Sequence, residues 1–208
     1  RIGADVICEK PIVLNPWNVD APLQLEAEYA NKVYTVLQLR YHEVILALKD
    51  KIDTGPKDKV YEIDLTYITS RGNWYYSSWK GDESKSGGIA TNIGVHFFDM
   101  LQWIFGPMHN LSLATKTSDT NAGILKLERA KVNWVLSINA ENLPQVAKNK
   151  NLTTFRLLAI EGEEIEFSNG FTDLHTLSYQ KILNGMGYGL ADAKNAIEIV
   201  SQIRNKNL

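Results

Sequence analysis

A single cysteine, Cys8, leaves no partner for an internal disulfide, and such sparing thiol use suits a reducing, cytoplasmic setting. Cys8 sits in an apolar run and reads as a small core residue rather than a nucleophile. No apolar stretch approaches the ~20 residues that span a bilayer, so no membrane partner is expected. Basic excess is also missing: 22 Lys and Arg face 24 Asp and Glu, which removes nucleic acid as the default partner. The one local concentration, Lys148 and Lys150 among asparagines, reads as a solvated loop. No G-x-S-x-G elbow points to serine hydrolysis, and no G-x-G-x-x-G phosphate loop stands between a strand and a helix. His42, His96, His109 and His175 lack ligand spacing, so no metal is expected. Gly185-Met186-Gly187-Tyr188-Gly189 lies between two predicted helices and reads as a turn.

What is present is a chain that can build a core, with 44% hydrophobic and 22% charged residues. It opens on the buried-strand pattern Ala4 to Cys8 with no element before it, which predicts a strand of a sheet continued by chain outside this sequence. Glu9-Lys10-Pro11 follows as a loop, since Pro11 pushes Lys10 out of the helical region. Asn15 is placed to cap a helix with Pro16 in its first position, running to about Asn31. Val33 to Leu39 is the next strand, completing a βαβ unit. Residues 1 to about 40 thus read as the tail of a doubly wound domain.

From Tyr41 to Ile52 the apolar residues fall at helical spacing, ended by Gly55-Pro56. Val60 to Ser70 alternates as a half-buried strand, and the aromatic, polar run Arg71 to Ser86 reads as a long loop. A helix over Ile93 to Phe105 is stopped by Gly106-Pro107. Strands at Leu111–Thr117, Ala122–Glu128 and Asn133–Ala140 predict an antiparallel meander. Asn142 to Asn151 reads as a polar loop, and Thr153–Ile160 with Glu164–Phe167 as a hairpin. Helices at Leu174–Leu183 and Leu190–Asn205 end the chain. The fold class is α+β: an open, largely antiparallel sheet covered by helices on one face, over residues 41–208.

Two segments offer chemistry. Lys10 lies at the carboxyl end of a parallel strand, outside which ligands bind in open α/β sheets. There it is either a hydrogen-bond donor to a substrate hydroxyl or a plain surface lysine. The run Ser86-Gly87-Gly88 to Asp99 pairs glycines, which admit close backbone approach, with Thr91 or Asn92 as a helix cap. His96 then falls in the first turn, where the helix dipole favours the neutral imidazole that a general base needs. Asp99, one turn on, is placed to orient it. A core histidine with a satisfied hydrogen bond is the plainer alternative.

These segments together resemble the Gfo/Idh/MocA oxidoreductases. That family's E-K-P closes a strand of its Rossmann domain and is Glu9-Lys10-Pro11 here, while its G-G-x-x-x-(D/N)-x-G-x-H-x-x-D block is Gly87 to Asp99. Leu39 to His42, Thr69 to Tyr76 and Trp79 to Asp82 resemble its UDP-N-acetylglucosamine-uronic acid 3-dehydrogenase subfamily, of bacterial surface-polysaccharide (lipopolysaccharide O-antigen) synthesis. The resemblance implies NAD as cofactor, with Glu9, Lys10 and Pro11 touching it and the rest of its site outside this sequence. It implies residues 1–40 as a Rossmann remnant and 41–208 as a substrate-binding and oligomerisation domain. Lys10 would polarise the C3 hydroxyl of the sugar, and His96 would take its proton. Asn92 stands where many relatives have Asp, so it can hydrogen-bond but carries no charge. The subfamily recycles its cofactor with 2-oxoglutarate.

A UDP-uronic acid carries a carboxylate and a diphosphate, so Arg40, Arg71, Lys80 and Lys85 are candidate anion partners. Thr91 and Asn92 are candidate hydrogen-bonding residues, and Trp79, with Trp74 and Tyr75, is placed either to stack on sugar or uracil or to fill a subunit contact. The resemblance also implies a homodimer or homotetramer built through the meander face. Three other readings stand beside the enzyme: another sugar or inositol dehydrogenase, an assembly and sugar-binding module, and a relative that has lost catalysis through Asn92.

Overall fold

The computed structural model describes residues 3–166 and 173–207. Strand β1 (Val6–Cys8) pairs in parallel with β2 (Val33–Thr35), as the βαβ reading requires. The connection is not one helix from Asn15. It is a 3-10 turn, Pro16–Val19, followed by α1 (Asp20–Glu28). An α-helix begun at Pro16 would carry Pro22 in its interior, where the ring clashes with the preceding turn. Restarting at Asp20 puts Pro22 in a first turn, where its missing N–H costs nothing. Asn15 makes no cap bond, and its side chain instead accepts from the Arg204 guanidinium. Strand β2 also stops short of Leu39, because the chain turns at Leu37, whose N–H donates back to Thr35 O (3.0 Å); Thr35 N–H itself donates to Tyr188 O (2.9 Å) from the far end of the chain. Gln38–Tyr41 follows as a 3-10 turn.

Helix α2 (Glu43–Thr54) is capped by His42, whose Nδ1 accepts from Val44 N–H at 3.2 Å. Strand β3 (Tyr61–Thr69) follows. Where a long loop was expected, the chain folds into α3 (Asn73–Ser77), a 3-10 turn (Trp79–Gly81) and α4 (Glu83–Ser86). These turns are too short to show a hydrophobic period. Side chains make them: Ser78 accepts from Lys80 N–H and Asp82 from Ser84 N–H. A π-helical turn, Ala90–Gly94, leads into α5 (Val95–Phe105).

The meander β4 (Met108–Lys116), β5 (Thr120–Leu127), β6 (Ala130–Ser137) is antiparallel as expected. The polar segment after it is not simply a loop, but a 3-10 turn (Ala140–Asn142) and α6 (Gln145–Asn149). Strand β7 (Thr154–Ile160) turns into the short β8 (Glu163–Glu164); the expected strand end at Phe167 lies outside the described residues. Helices α7 (Leu174–Leu183) and α8 (Leu190–Asn205) have the bounds read from the sequence.

Among the described strands the larger sheet has the order β4-β5-β6-β3-β7-β8, in which β3 and β6 pair in parallel and the other neighbours are antiparallel. One face carries the core: Leu65, Leu125, Trp134 and Leu158 are buried in one cluster with Phe98, Met100 and Leu101 of α5 and Ile199 of α8. Gly94 admits this approach, since a Cβ there would sit 2.5 Å from Leu136 Cδ1. The other face bares Glu62, Asp64 and Asn133, tied by Lys131–Glu62 (3.2 Å) and Asn133–Asp64 (3.0 Å). Its end is covered by Leu143 and Ala147 packing with Ile68.

Candidate active site

Two segments far apart in sequence meet beneath the end of β1. Lys10, just past that strand, and His96, on α5, line one cavity of about 170 Å³. Gln38, Tyr67, Asn92, Arg71 and Arg156 complete its polar wall, and Ile93 and Phe97 its apolar one. Among the described lining residues there are three cations and no carboxylate. A second, larger cavity of about 510 Å³ shares Lys10 and Asn92 with the first. It runs along Pro11, Ile12, Val13 and Leu14 on one side and Trp79, Lys80 and Lys85 on the other.

Burial pulls the Lys10 ammonium down to about 8; Glu9 opposes the fall, and Lys80 and Arg71 add to it. His96 is held well below the ordinary histidine value, first by burial and then by Lys10 and His175. The cause differs from the sequence reading. Helix continues without a break from Ala90, so His96 is not in a first turn and the dipole is not what keeps it neutral. Thr91 and Asn92 are likewise inside that helical run rather than at a cap. Each donates back four residues, Thr91 Oγ1 to Gly87 O (2.8 Å) and Asn92 Nδ2 to Gly88 O (3.0 Å). Gly87 has φ +76°, and a Cβ there would lie 2.6 Å from the Thr91 hydroxyl, so glycine is required.

The structure brings together Lys10, His96, Arg71 and Asn92 in the smaller cavity, with Glu9, Pro11, Trp79, Lys80 and Lys85 in the larger. Asn92 is fixed by Tyr75 Oη (3.2 Å) and Lys80 O (3.3 Å), which ties the π-helical turn before α5 to the segment carrying Trp79. Trp79 is well exposed, and Lys85 pairs with Asp82 at 3.1 Å on the surface. Thr91 is fully buried and lines neither cavity.

Arg40 and Asp99 are elsewhere. Asp99 does not orient His96, because Arg40 takes both its oxygens, at 2.6 and 3.0 Å. Arg40 also reaches Asp192 (3.3 Å) and lies 4.5 Å over the Tyr188 ring. It is 5% exposed and lines a different cavity, with Gln102 and Asn195, so it has no place among the groups around Lys10. Burial works against the Arg40 charge, but Asp99 and Asp192 outweigh it and its pKa rises. Burial also pushes the Asp99 carboxyl up, against the pull of Arg40.

Gln38, Tyr67, Arg156 and His175 were not singled out from sequence. Tyr67 read as a core face of β3, and Arg156 as an ordinary strand residue. Only the strand register places them together, with Arg156 opposite Tyr67 and its guanidinium 5.3 Å from that ring. His175 reaches Glu9 at 3.6 Å from α7.

Residues 49–140 match the family model described as the oxidoreductase family, C-terminal alpha/beta domain, of the Gfo/Idh/MocA proteins. Over those residues, somewhat under half of its length, the chain is similar to that family. It superposes on the WlbA (WbpB) dehydrogenase of Thermus thermophilus in complex with NAD and alpha-ketoglutarate, with a TM-score of 0.95 and 47% identity over 99% of this chain and 66% of that one. The complex of the Thermus thermophilus enzyme with NAD and UDP-GlcNAcA gives 0.94 and 46%, with the same coverage. Inositol 2-dehydrogenase of Rhizobium meliloti is 32% identical over 107 residues, half of this chain and 31% of that enzyme. The chain therefore spans less than two thirds of each of these relatives.

Proposed function

We propose that the chain is the substrate-side part of an NAD-dependent dehydrogenase that oxidises the C3 hydroxyl of a UDP-N-acetyl-hexosaminuronic acid. The observation that carries this is the convergence of Lys10 and His96 on one cavity that Arg71 also lines. A buried ammonium with a pKa near 8 is protonated at neutral pH and donates to the reacting hydroxyl. A histidine kept neutral by burial accepts the proton that the hydroxyl loses. Arg71 and Arg156 offer guanidinium forks to the uronate, and Lys80 and Lys85 offer charge to the diphosphate. Asn92 serves as a neutral hydrogen-bonding residue.

The residues present fit one flank of NAD. Pro11, Ile12 and Val13 give the larger cavity an apolar wall against which a flat ring can lie, beside Glu9 and Lys10. When bound, NAD supplies the hydride acceptor. The relatives' extra length supports reading residues 1–40 as the end of a Rossmann domain and 41–208 as the substrate and assembly domain. 2-Oxoglutarate (alpha-ketoglutarate) is the proposed recycling acceptor, from the ligand named with the Thermus enzyme. We place the enzyme in the cytoplasm, in lipopolysaccharide O-antigen synthesis, as a homodimer or homotetramer through the bare face of the sheet.

The inositol dehydrogenase likeness offers a neutral polyol as the other substrate class. Lys10 and Arg71, in a wall with no carboxylate among its described residues, favour an acidic sugar over inositol. The test is a panel of UDP-sugars, simple sugars and inositol with the intact enzyme, following nicotinamide absorbance with 2-oxoglutarate present. Oxidation of the UDP-uronate alone is expected; turnover of inositol instead, or of nothing, overturns the assignment.

A further inference from the structure

Helix α8 is apolar on two adjoining faces, where a helix at a protein surface commonly has one. Ala196, Ile199, Val200 and Ile203 belong to the core under the larger sheet. Leu190, Ala193 and Ile197, at spacings of three and four, form a separate cluster with Val19. Ile12 and Val13 pack against that second cluster. They follow Lys10 closely in the chain and line the larger cavity with it. Residues 11–15 have neither helix nor strand of their own, so their placement depends on what they lie against.

Polar contacts carry the same face to the end of the helix. Arg204 Nη1 donates to Leu14 O at 3.1 Å, and its Nη2 donates to the Asn15 side chain. A planar guanidinium with two acceptors fixes direction as well as distance, which an ammonium on a flexible stem does not. The turn that holds Arg204 is itself fixed from the sheet. Lys116 Nζ, on β4, donates to Arg204 O at 2.5 Å and to Lys206 O at 3.3 Å, a cation on the last carbonyls of the helix. Lys206 Nζ donates back to Leu111 O of the same strand at 2.5 Å. Along another side, α8 holds the helix of His96: Gln102 Nε2 donates to Asn195 O at 2.9 Å, and Arg40 joins Asp99 to Asp192.

Resting on the function proposed above, we infer that α8 is a splint that fixes the separation of Lys10 from His96, and that Arg204 is a positioning residue for Lys10. Proton transfer needs both groups within hydrogen-bond reach of one oxygen, and an error of about 1 Å costs on the order of 100-fold. Lys10 is in place because the stretch that follows it is pressed on α8 by Ile12 and Val13 and pinned at its far end by Arg204.

The test uses the intact enzyme and reads Lys10 without turnover. Labelling of lysines by an acylating reagent across pH, followed by mass spectrometry, gives the pH at which the Lys10 ammonium loses its proton. Burial holds it down to about 8, with Glu9, Lys80, Arg71 and His96 the charged or titratable groups around it. In Arg204→Met the stretch loosens and water reaches the amine, so the midpoint is expected to rise toward the ordinary lysine value. The kcat with the UDP-uronate is expected to fall by about 10- to 100-fold, its alkaline limb to move up with the Lys10 midpoint, and KM to stay near that of the parent. Asn15→Ala removes one of the two contacts and is expected to shift both readouts less, in the same direction. Ile52→Val, in the core beside Arg129, is expected to lower the thermal midpoint and leave Lys10 and kcat as they are. An Arg204→Met enzyme that melts earlier but keeps the parent's Lys10 midpoint and kcat overturns the splint. So does a Lys10 shift shared by Ile52→Val. If Arg204→Met does not fold, Asn15→Ala decides: a shifted Lys10 supports the splint and an unshifted one overturns it. If no form oxidises the UDP-uronate but the Lys10 midpoint still follows Arg204, the functional assignment fails and the splint stands.

Discussion

His96 and Asp99 lie one turn apart on α5 and have opposite fates. On the His96 side, Lys10 and Arg71 face a cavity with no carboxylate among its described lining residues. On the Asp99 side, one guanidinium is answered by two acids and two aromatic rings within a few ångströms. The first arrangement leaves charge for a ligand to neutralise. The second closes its charges internally and is therefore structural. The difference teaches that a charged residue near a motif is a site residue only when the fold leaves it uncompensated.

The sharpest way to break that contrast is substitution at each pole. Lys10→Ala or His96→Ala in the intact enzyme should lower turnover by roughly two to four powers of ten, with the thermal midpoint held within a few degrees; steady-state rates and a melting scan check both. Asp99→Asn should do the reverse. It leaves Arg40 buried beside a neutral amide and should cost about 3–5 kcal/mol in stability, read by urea unfolding, with the active groups untouched.

Titration sharpens the same contrast. His96 has a folded pKa below its unfolded 6.5. Above pH 6.5 both states are neutral and the stability is fully present. As pH falls through 6.5 the unfolded state gains the proton first, and stability drops by up to about 1.4 kcal/mol per pH unit until the folded value is reached. His96→Asn should remove that slope between pH 6.5 and 5 in pH-resolved unfolding. In turnover, Lys10 gives the other limb: the rate should fall above pH 8, where its ammonium is lost.

The smallest effect belongs to the bare sheet face. Lys131 and Glu62 pair at 3.2 Å with both side chains substantially exposed, so Lys131→Ala should change monomer stability by less than about 1 kcal/mol. If that face is the subunit contact, light scattering should show weaker assembly at low concentration; unchanged scattering would take this face out of the interface.

Long elements were legible in advance. Helices α7 and α8 and the meander follow from periodicity, since each repeats its apolar spacing over several turns or pairs. Misreadings fall on short elements held by single contacts. Pro22 breaks the first helix, Ser78 and Asp82 wind an apparent loop, and a tight turn at Leu37 ends β2. In the site, Lys10 and His96 were legible because glycine, proline and the strand end mark them. Arg156 and Tyr67 were not, because strand register alone sets them side by side.

The sequence by itself determined the α+β architecture, the family resemblance and the two residues offered for proton chemistry, because those rest on local spacing and on residue types with few roles. Tertiary structure alone decided which charges are spent. Arg40 and Arg71 are indistinguishable as letters, yet one is enclosed by Asp99 and Asp192 while the other lines the cavity of His96. Compensation of charge depends on distances through space, across 59 and 152 residues of chain for Arg40, and no pattern along the chain encodes them.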